Sequence, residues 1–233
     1  MVFFKFFMYK PLIFLGSNSN IGLFVDTAEE MGMTVHGIID DNYYGNTESI
    51  NGIAYIGSED SFDFTNERNN YLFFVSPSVI PINTQDRAKR LKMIQVVEKY
   101  QLPLATLKST NTFISKTAVI HPGAFVGYTA CVGANAVMMP HSQLHGSSAL
   151  PHDCVLGKNS VIERDAHVIG RTIIGENVHI GFGAALIKSE GPKVGNNAVI
   201  HPRIMVLRDV DENEIVSLAG DNKRRIYGDI VRS

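Results

Sequence analysis

Tryptophan is absent from the 233 residues, only two cysteines occur, and charge of neither sign dominates. Twenty-one Lys and Arg face 23 Asp and Glu for a net charge of -2, scattered along the chain, which excludes a nucleic-acid surface built on a basic stripe. No apolar run approaches the ~18 residues of a membrane span. Two cysteines, Cys131 and Cys154, are too few for a disulfide framework, so reduced thiols in core or corner positions are expected. The start, Met1 to Tyr9, is apolar with Lys5 but has no small-residue cleavage site. It is not read as a signal peptide; Met8 is an alternative start, and the cytoplasm is the expected compartment.

What the chain does have is a period of six. Ile114, Ile120, Val126, Val132, Met138, Leu144, Leu150, Leu156, Ile162, Val168, Ile174, Ile180 and Leu186 recur without a slip. Four residues after each comes a second register, mostly of small residues: Ala118, Ala124, Ala130, Ala136, Ser142, Ser148, Cys154, Ser160, Ala166, Thr172, Val178, Ala184. Six is neither a helical period nor strand alternation, so a repeat architecture must bury a continuous core. Three such segments closing a triangle put one aliphatic side chain per face at the prism axis and the small residue at each corner. Coils stacked at about 4.8 Å give every backbone group a partner. The pattern resembles the hexapeptide repeat of left-handed parallel β-helices, most of which are acyltransferases using an acyl-CoA. After Leu186 a two-residue insertion in 188–193 predicts a small corner loop before Val194, Ile200 and Val206 resume the register.

Residues 10–109 alternate strand and helix. Strands are expected at Pro11–Leu15, Thr34–Ile39, Asn51–Gly57, Tyr71–Val75 and Leu104–Leu107, with helices after Gly22 and over Asn83–Tyr100. This predicts a small Rossmann-like parallel sheet with helices on its faces, in which ligands bind beyond the carboxyl ends of the strands. The loops there carry Gly16-Ser17-Asn18-Ser19-Asn20, the pair Asp40-Asp41, and Ser76. The first turn lacks the three-glycine dinucleotide fingerprint but suits one phosphate or sugar at a helix N-terminus; a plain tight turn is the alternative. For the Asp pair the alternative is a turn cap.

Acyl transfer needs a base and an N–H donor for the oxyanion. Of the histidines in the repeat none lie 18 apart, so none stack on successive coils and no metal is expected; most should be surface or corner residues. His152 differs by its context, Leu150-Pro151-His152-Asp153-Cys154-Val155-Leu156-Gly157. From about Lys10 the chain resembles the bacterial nucleotide-sugar N-acetyltransferases that act on UDP-4-amino-4,6-dideoxy sugars of the bacillosamine route, with relatives that O-acetylate sialic acid. Their signature Glu-His-Asp/Glu-Cys-X-Ile-Gly is matched at His152 and Asp153, with Pro151 in place of Glu.

The resemblance implies that His152 is the general base and Asp153 its support. It implies further that Gly170 is an oxyanion donor at the thioester and that Gly181 and Phe182 flank the pantetheine arm of acetyl-CoA. In the first domain it assigns Gly16, Asn18, Ser19, Asn20, Asp40, Asp41 and Ser76 to the sugar nucleotide. It implies a homotrimer, with neither nucleic acid nor membrane as partner. Expected boundaries are 8–109 for the nucleotide-sugar domain, 110–210 for the β-helix and 211–233 for a charged tail. In that tail Lys223-Arg224-Arg225 is either a solvated face or a contact to coenzyme phosphates. Three positions depart from the family pattern. Val161 stands where a second His is frequent, with His179 one coil on; Ile200-His201-Pro202-Arg203 replaces a Gly-rich segment; His145-Gly146-Ser147 replaces Asn-Thr-Gly. The activity implied is N-acetylation of the 4-amino group of a nucleotide-linked 4-amino-4,6-dideoxy sugar. A sugar O-acetyltransferase and a non-catalytic sugar-nucleotide-binding scaffold are the alternatives.

Overall fold

The computed structural model describes residues 10–18, 20–41, 43, 45, 48–77 and 84–217, with 84–86 as backbone. Ser19, the segment Met1–Phe7 and the basic triplet of the tail therefore lie outside the described residues. Among the described residues, 10–77 and 88–105 form one compact unit, and 84–87 and 106–217 the other. Among the described residues no helix is long and apolar enough to cross a membrane.

The first unit is a five-stranded sheet. In chain order its elements are β1 (Leu12–Leu15), α1 (Ile21–Glu30), β2 (Val35–Ile39), β3 (Ser49–Ile50), β4 (Ile53–Gly57), α2 (Phe64–Glu67), β5 (Leu72–Val75) and α3 (Thr84–Tyr100). The strand order is β3-β4-β2-β1-β5, parallel except for β3 against β4. All four residues of β1 are fully buried. Their alternation divides them between two faces. Phe14 meets Phe74, and Phe74 meets Phe24 of α1 with ring centroids 5.1 Å apart. Ile13, Leu15, Phe73 and Val75 pack with Met93, Ile94 and Val97 of α3. Each such apolar side chain stabilises the unit by about 1.5–3 kcal/mol relative to exposure.

Three elements here differ from the expectation. β3 and β4 form a hairpin whose turn is Asn51-Gly52, both with positive φ (49° and 76°). Asn-Gly is the pair that such two-residue turns favour. The four-residue α2 is capped by Asp63, whose side chain accepts from the Asn66 N–H. The expected strand 104–107 is split: Leu104 bridges to Phe73, whereas Leu107–Lys108 pairs with Phe125–Val126 in the second unit.

The second unit is a left-handed parallel β-helix of two-residue strands in three stacked sheets. Partners are 18 residues apart, as in Cys131↔Ala149, Val137↔Val155 and Gln143↔Val161. From Val126 through Leu186 the predicted axial residues are at most 5% exposed. At most corners the turn is closed by the N–H of the second-register residue, as in Ala130 N–H to Gly127 O at 3.1 Å. The residue before it lies in the left-handed region at Thr129, Asn135, His141, Ser147, Asp153, Asn159, Asp165, Arg171 and Asn177. That is the geometry of a type II turn. The second-register side chains point inward, and where they are polar they bond turn carbonyls: Ser142 to Met139 O at 2.7 Å, Thr172 to Ile169 O at 2.6 Å. Cys154 Sγ does the same toward Ile169 O, and both cysteines are free thiols.

The β-helix also runs further than its expected limits. Besides Leu107–Lys108 at one end, Val210 bridges to Val194 and Ile215–Val216 pairs with Val199–Ile200 at the other. The step from Val206 to Val210 is four residues, which breaks the period in the sequence while a shortened coil keeps both side chains against the core.

Candidate active site

The sheet of the first unit brings most of the predicted sugar-nucleotide residues to its carboxyl edge. Gly16 (φ +72°) turns the chain after β1, and a Cβ there would lie 2.5 Å from Pro77 Cγ. Asn18 Oδ1 accepts the Asn20 N–H at 2.9 Å, while Asn18 Nδ2 donates to Ser76 O at 3.1 Å. Ser76 Oγ donates to Gly16 O, tying the first and third loops together. Asn20 precedes α1 without a capping bond from its side chain, which leaves its amide at the helix N-terminus.

The Asp pair divides. Asp40 is fully buried: its carboxylate accepts from Ser17 N and Ser17 Oγ, both at 2.7 Å, and pairs with Lys89 Nζ. It faces into the turn and shapes it. Asp41 is exposed, with Oδ1 accepting the Glu59 N–H and Oδ2 paired with Lys92 at 2.6 Å. Burial pushes the Asp41 carboxyl up, but the hydrogen bond from Lys92 and that from the Glu59 N–H outweigh it and hold it below the usual range. Lys89 also lies 5.0 Å from the Tyr43 ring, which stacks on Tyr55. Arg90, fully buried, donates to Val75 O and Pro77 O on either side of Ser76, and burial lowers its pKa to about 9. Ser17, Lys89 and Arg90 were not singled out in the sequence. The two cations carry no local signal, since on a helix they read as surface charges until the fold turns them inward.

In the β-helix, His152 and Asp153 are the two central residues of the corner between Ala149–Leu150 and Val155–Leu156. The imidazole is 55% exposed, and its Nδ1 lies 2.9 Å from Asp153 Oδ2. A carboxylate only accepts, so Nδ1 carries the proton of this bond, and in the neutral ring Nε2 presents its lone pair. The bond from His152, then that from Asn135, holds the Asp153 carboxyl below the usual range.

One coil further the same corner is Gly170-Arg171, with the Arg171 N–H donating to His152 O at 2.9 Å. A Cβ on Gly170 would overlap Nε2 and lie 2.6 Å from Cε1 of His152. Gly170 does not have positive φ, so glycine is required there for space, and Nε2 rests against its backbone. Among the hydrogen bonds of the described residues, the Gly170 N–H makes none. The inserted loop stands at this corner too, one coil beyond, where Gly191 (φ +83°) packs on the carbonyls of Gly170 and Arg171.

Gly181 and Phe182 are not brought to this corner. They belong to the turn after His179–Ile180, a full face of the prism away, where a Cβ on Gly181 would strike the backbone of Ile200–Pro202. Phe182 is exposed, with the Arg203 guanidinium 5.6 Å from its ring. His179 pairs with Val161 as the 18-residue spacing requires, but on the face opposite the His152 corner. There it is 5% exposed, 3.6 Å from Glu163. His141 and His145 lie in corner turns, as expected of most of the histidines, but are only 3% and 8% exposed. Among the described residues no three His, Cys, Asp or Glu gather as metal ligands.

The family model described as bacterial transferase hexapeptide (six repeats) matches residues 153–188. The bifunctional protein GlmU of Wigglesworthia glossinidia brevipalpis is 26% identical over 106 residues, 41% of this chain and only 23% of that protein's length. Among solved structures, the acetyltransferase domain of PglB from Neisseria gonorrhoeae, in complex with acetyl coenzyme A, superposes with a TM-score of 0.74 at 21% identity. That match covers 89% of this chain and 95% of that one. PerB from Caulobacter crescentus, in complex with CoA and GDP-perosamine, has a TM-score of 0.77 at 17% identity, covering 91% and 97% of the two chains. WeeI from Acinetobacter baumannii has a TM-score of 0.72 at 18% identity, covering 90% and 97%. Residues 153–188 therefore carry the bacterial transferase hexapeptide repeat, and the chain, an α/β unit followed by a left-handed β-helix, shares the fold of these solved structures.

Proposed function

We propose that the protein is an acetyl-CoA-dependent N-acetyltransferase acting on the 4-amino group of a nucleotide-linked 4-amino-4,6-dideoxy sugar. The observation that carries this is the His152 corner. An exposed imidazole is oriented by Asp153 at 2.9 Å, with Nε2 turned toward a glycine whose N–H is outside the coil ladder. The complexes of PglB with acetyl coenzyme A and of PerB with CoA and GDP-perosamine support the substrate classes.

In the proposed reaction the sugar amine attacks the thioester carbonyl and His152 Nε2 takes the amine proton. Asp153 stabilises the imidazolium that forms. The Gly170 N–H donates to the oxyanion of the tetrahedral intermediate. Collapse breaks the C–S bond, and the departing thiolate of coenzyme A receives the proton from His152. The nucleotide is assigned to the loops carrying Gly16, Asn18, Ser19, Asn20, Asp41 and Ser76, with Asp40 shaping the turn from within.

Gly181 and Phe182, the proposed pantetheine contacts, sit one prism face from His152, so a single chain does not complete the site. We therefore propose a homotrimer in which the His152 corner of one copy meets the Phe182 corner of the next. Both co-substrates are cytoplasmic metabolites, so the cytoplasm is the proposed compartment.

The test is thiol release from acetyl-CoA against a panel of UDP-, dTDP- and GDP-linked 4-amino sugars. Release is expected with one of them, and His152→Ala should lower turnover by at least ~100-fold, the lower range for a lost general base. Absence of release with every amino sugar would overturn the reaction. A loss of only a few fold would remove His152 as the base.

A further inference from the structure

The corner that carries His152 is a column of turns, and the column holds a residue that the proposed chemistry has not yet used. Thr117, Asn135, Asp153 and Arg171 are spaced 18 apart and occupy the same turn position on four successive coils. Asn135 Nδ2 donates to Asp153 Oδ1 at 3.0 Å, and Asp153 Oδ2 holds His152 Nδ1 at 2.9 Å. The Asn135 N–H donates in turn to Thr117 Oγ1 at 3.0 Å, and the Asp153 N–H to Ala134 O at 2.9 Å. Asn135 and Asp153 are both in the left-handed region, at φ 57° and 58°, where Asn and Asp are the residues best tolerated.

We infer that Asn135 is a positioning residue of the active site: it anchors the second oxygen of Asp153 and thereby sets the tautomer and orientation of the His152 imidazole. The inference rests on the reading of His152 as general base. Asp153 is 45% exposed on a projecting corner, where an unanchored carboxylate samples several rotamers. With one oxygen on Asn135 and the other on His152, rotation about its terminal torsion breaks both bonds at once. The donor's chemistry fits the role. A neutral amide fixes the carboxylate without cancelling the charge that an imidazolium needs, whereas a lysine would compete for it.

Comparison within the β-helix supports the assignment. Side-chain ladders of the same kind at other coils join like to like, Asn159 to Asn177 at 2.8 Å and Asn197 to Asn213 at 3.1 Å. At the His152 corner the acceptor is instead a carboxylate with a histidine on its other oxygen.

Two variants separate positioning from turn stability. Asn135→Gly keeps the left-handed backbone and removes the amide, and Asn135→Asp keeps the shape but replaces the donor with a like charge. Their readouts are kcat and KM for both substrates, the melting temperature, and the 15N shifts of the His152 imidazole. Asn135→Gly should lower kcat about tenfold, the scale on which outer partners of a histidine act. Both KM values and the melting temperature should change little, while the imidazole passes from a single Nδ1–H tautomer to a mixture. Asn135→Asp should lose more. A lowered melting temperature with an unchanged tautomer would reduce Asn135 to a turn residue and overturn the proposal. So would an unchanged kcat in Asn135→Gly. The tautomer is measurable without turnover: a tautomer shift in a protein that transfers no acetyl group would uphold the positioning and refute the base.

Discussion

Substituting Gly170 by alanine tests the heart of the proposed site with one methyl group. The added carbon would lie 2.6 Å from Cε1 and 2.9 Å from Cδ2 of His152, against ~3.5–4.0 Å for ordinary carbon contacts. The imidazole must therefore withdraw by about 1 Å, and being half exposed it has room to do so by rotating outward. The backbone has no objection, because Gly170 is not left-handed, and no axial residue is touched. Stability should change by no more than ~0.5 kcal/mol. A displacement of this size at a reacting group can cost about 100-fold in rate, or ~2.7 kcal/mol of barrier. Thiol release from acetyl-CoA with the accepted amino sugar measures it, beside a thermal melt. The double variant with His152→Ala should be no slower than His152→Ala alone, since both remove the same positioned nitrogen. Turnover of Gly170→Ala within about threefold of the parent would refute the claim that Nε2 works from its place on Gly170.

Other consequences concern the scaffold. Lys89→Met strands the fully buried Asp40 carboxylate and should cost ~3 kcal/mol or more in urea unfolding; less than 1 would mean that the Ser17 donors suffice. Leu156→Ala leaves a void at the prism axis, where the side chain is fully buried, and should destabilise the β-helix by about 2–5 kcal/mol. Glu163 bears on pH. Burial pushes its carboxyl up, but the His179 ring at 3.6 Å and the charge of His145 outweigh that and hold it below the ordinary 4.5. A carboxyl depressed in the fold contributes stability above its unfolded pKa and loses it as pH falls through the folded one. The melting temperature should therefore drop more steeply below pH 4.5 in the parent than in Glu163→Gln, and parallel curves would contradict the pairing.

The β-helix was legible because its repeat is local. Every sixth side chain must be aliphatic to reach the prism axis, so the core could be listed from Ile114 to Leu186 residue by residue. Legibility failed where the period slips, at the four-residue step from Val206 to Val210, and where too few residues repeat to show one, at Leu107. In the α/β unit the strands were evident from their apolar runs. The hairpin was not, although Asn51-Gly52 is the pair such a turn requires; the polar residues before it masked β3. His152 was found through its context, and Asn135 could have been, since it precedes Asp153 by one coil of 18 residues.

The sequence alone determined the class of both units and the axis of the β-helix, and it singled out the histidine of the proposed reactive corner, because each depends on spacing or context along the chain. The tertiary structure decided which way the polar groups face. It turned Asp40 inward onto Ser17 and Lys89, buried His179 on the face opposite His152, and set Gly181 and Phe182 at a different corner. It also rested Nε2 of His152 on Gly170 and fixed the far oxygen of Asp153 with Asn135. Those outcomes depend on which coil lies above which and which corner a turn occupies. A register of 18 residues supplies that only once the chain has closed its triangle.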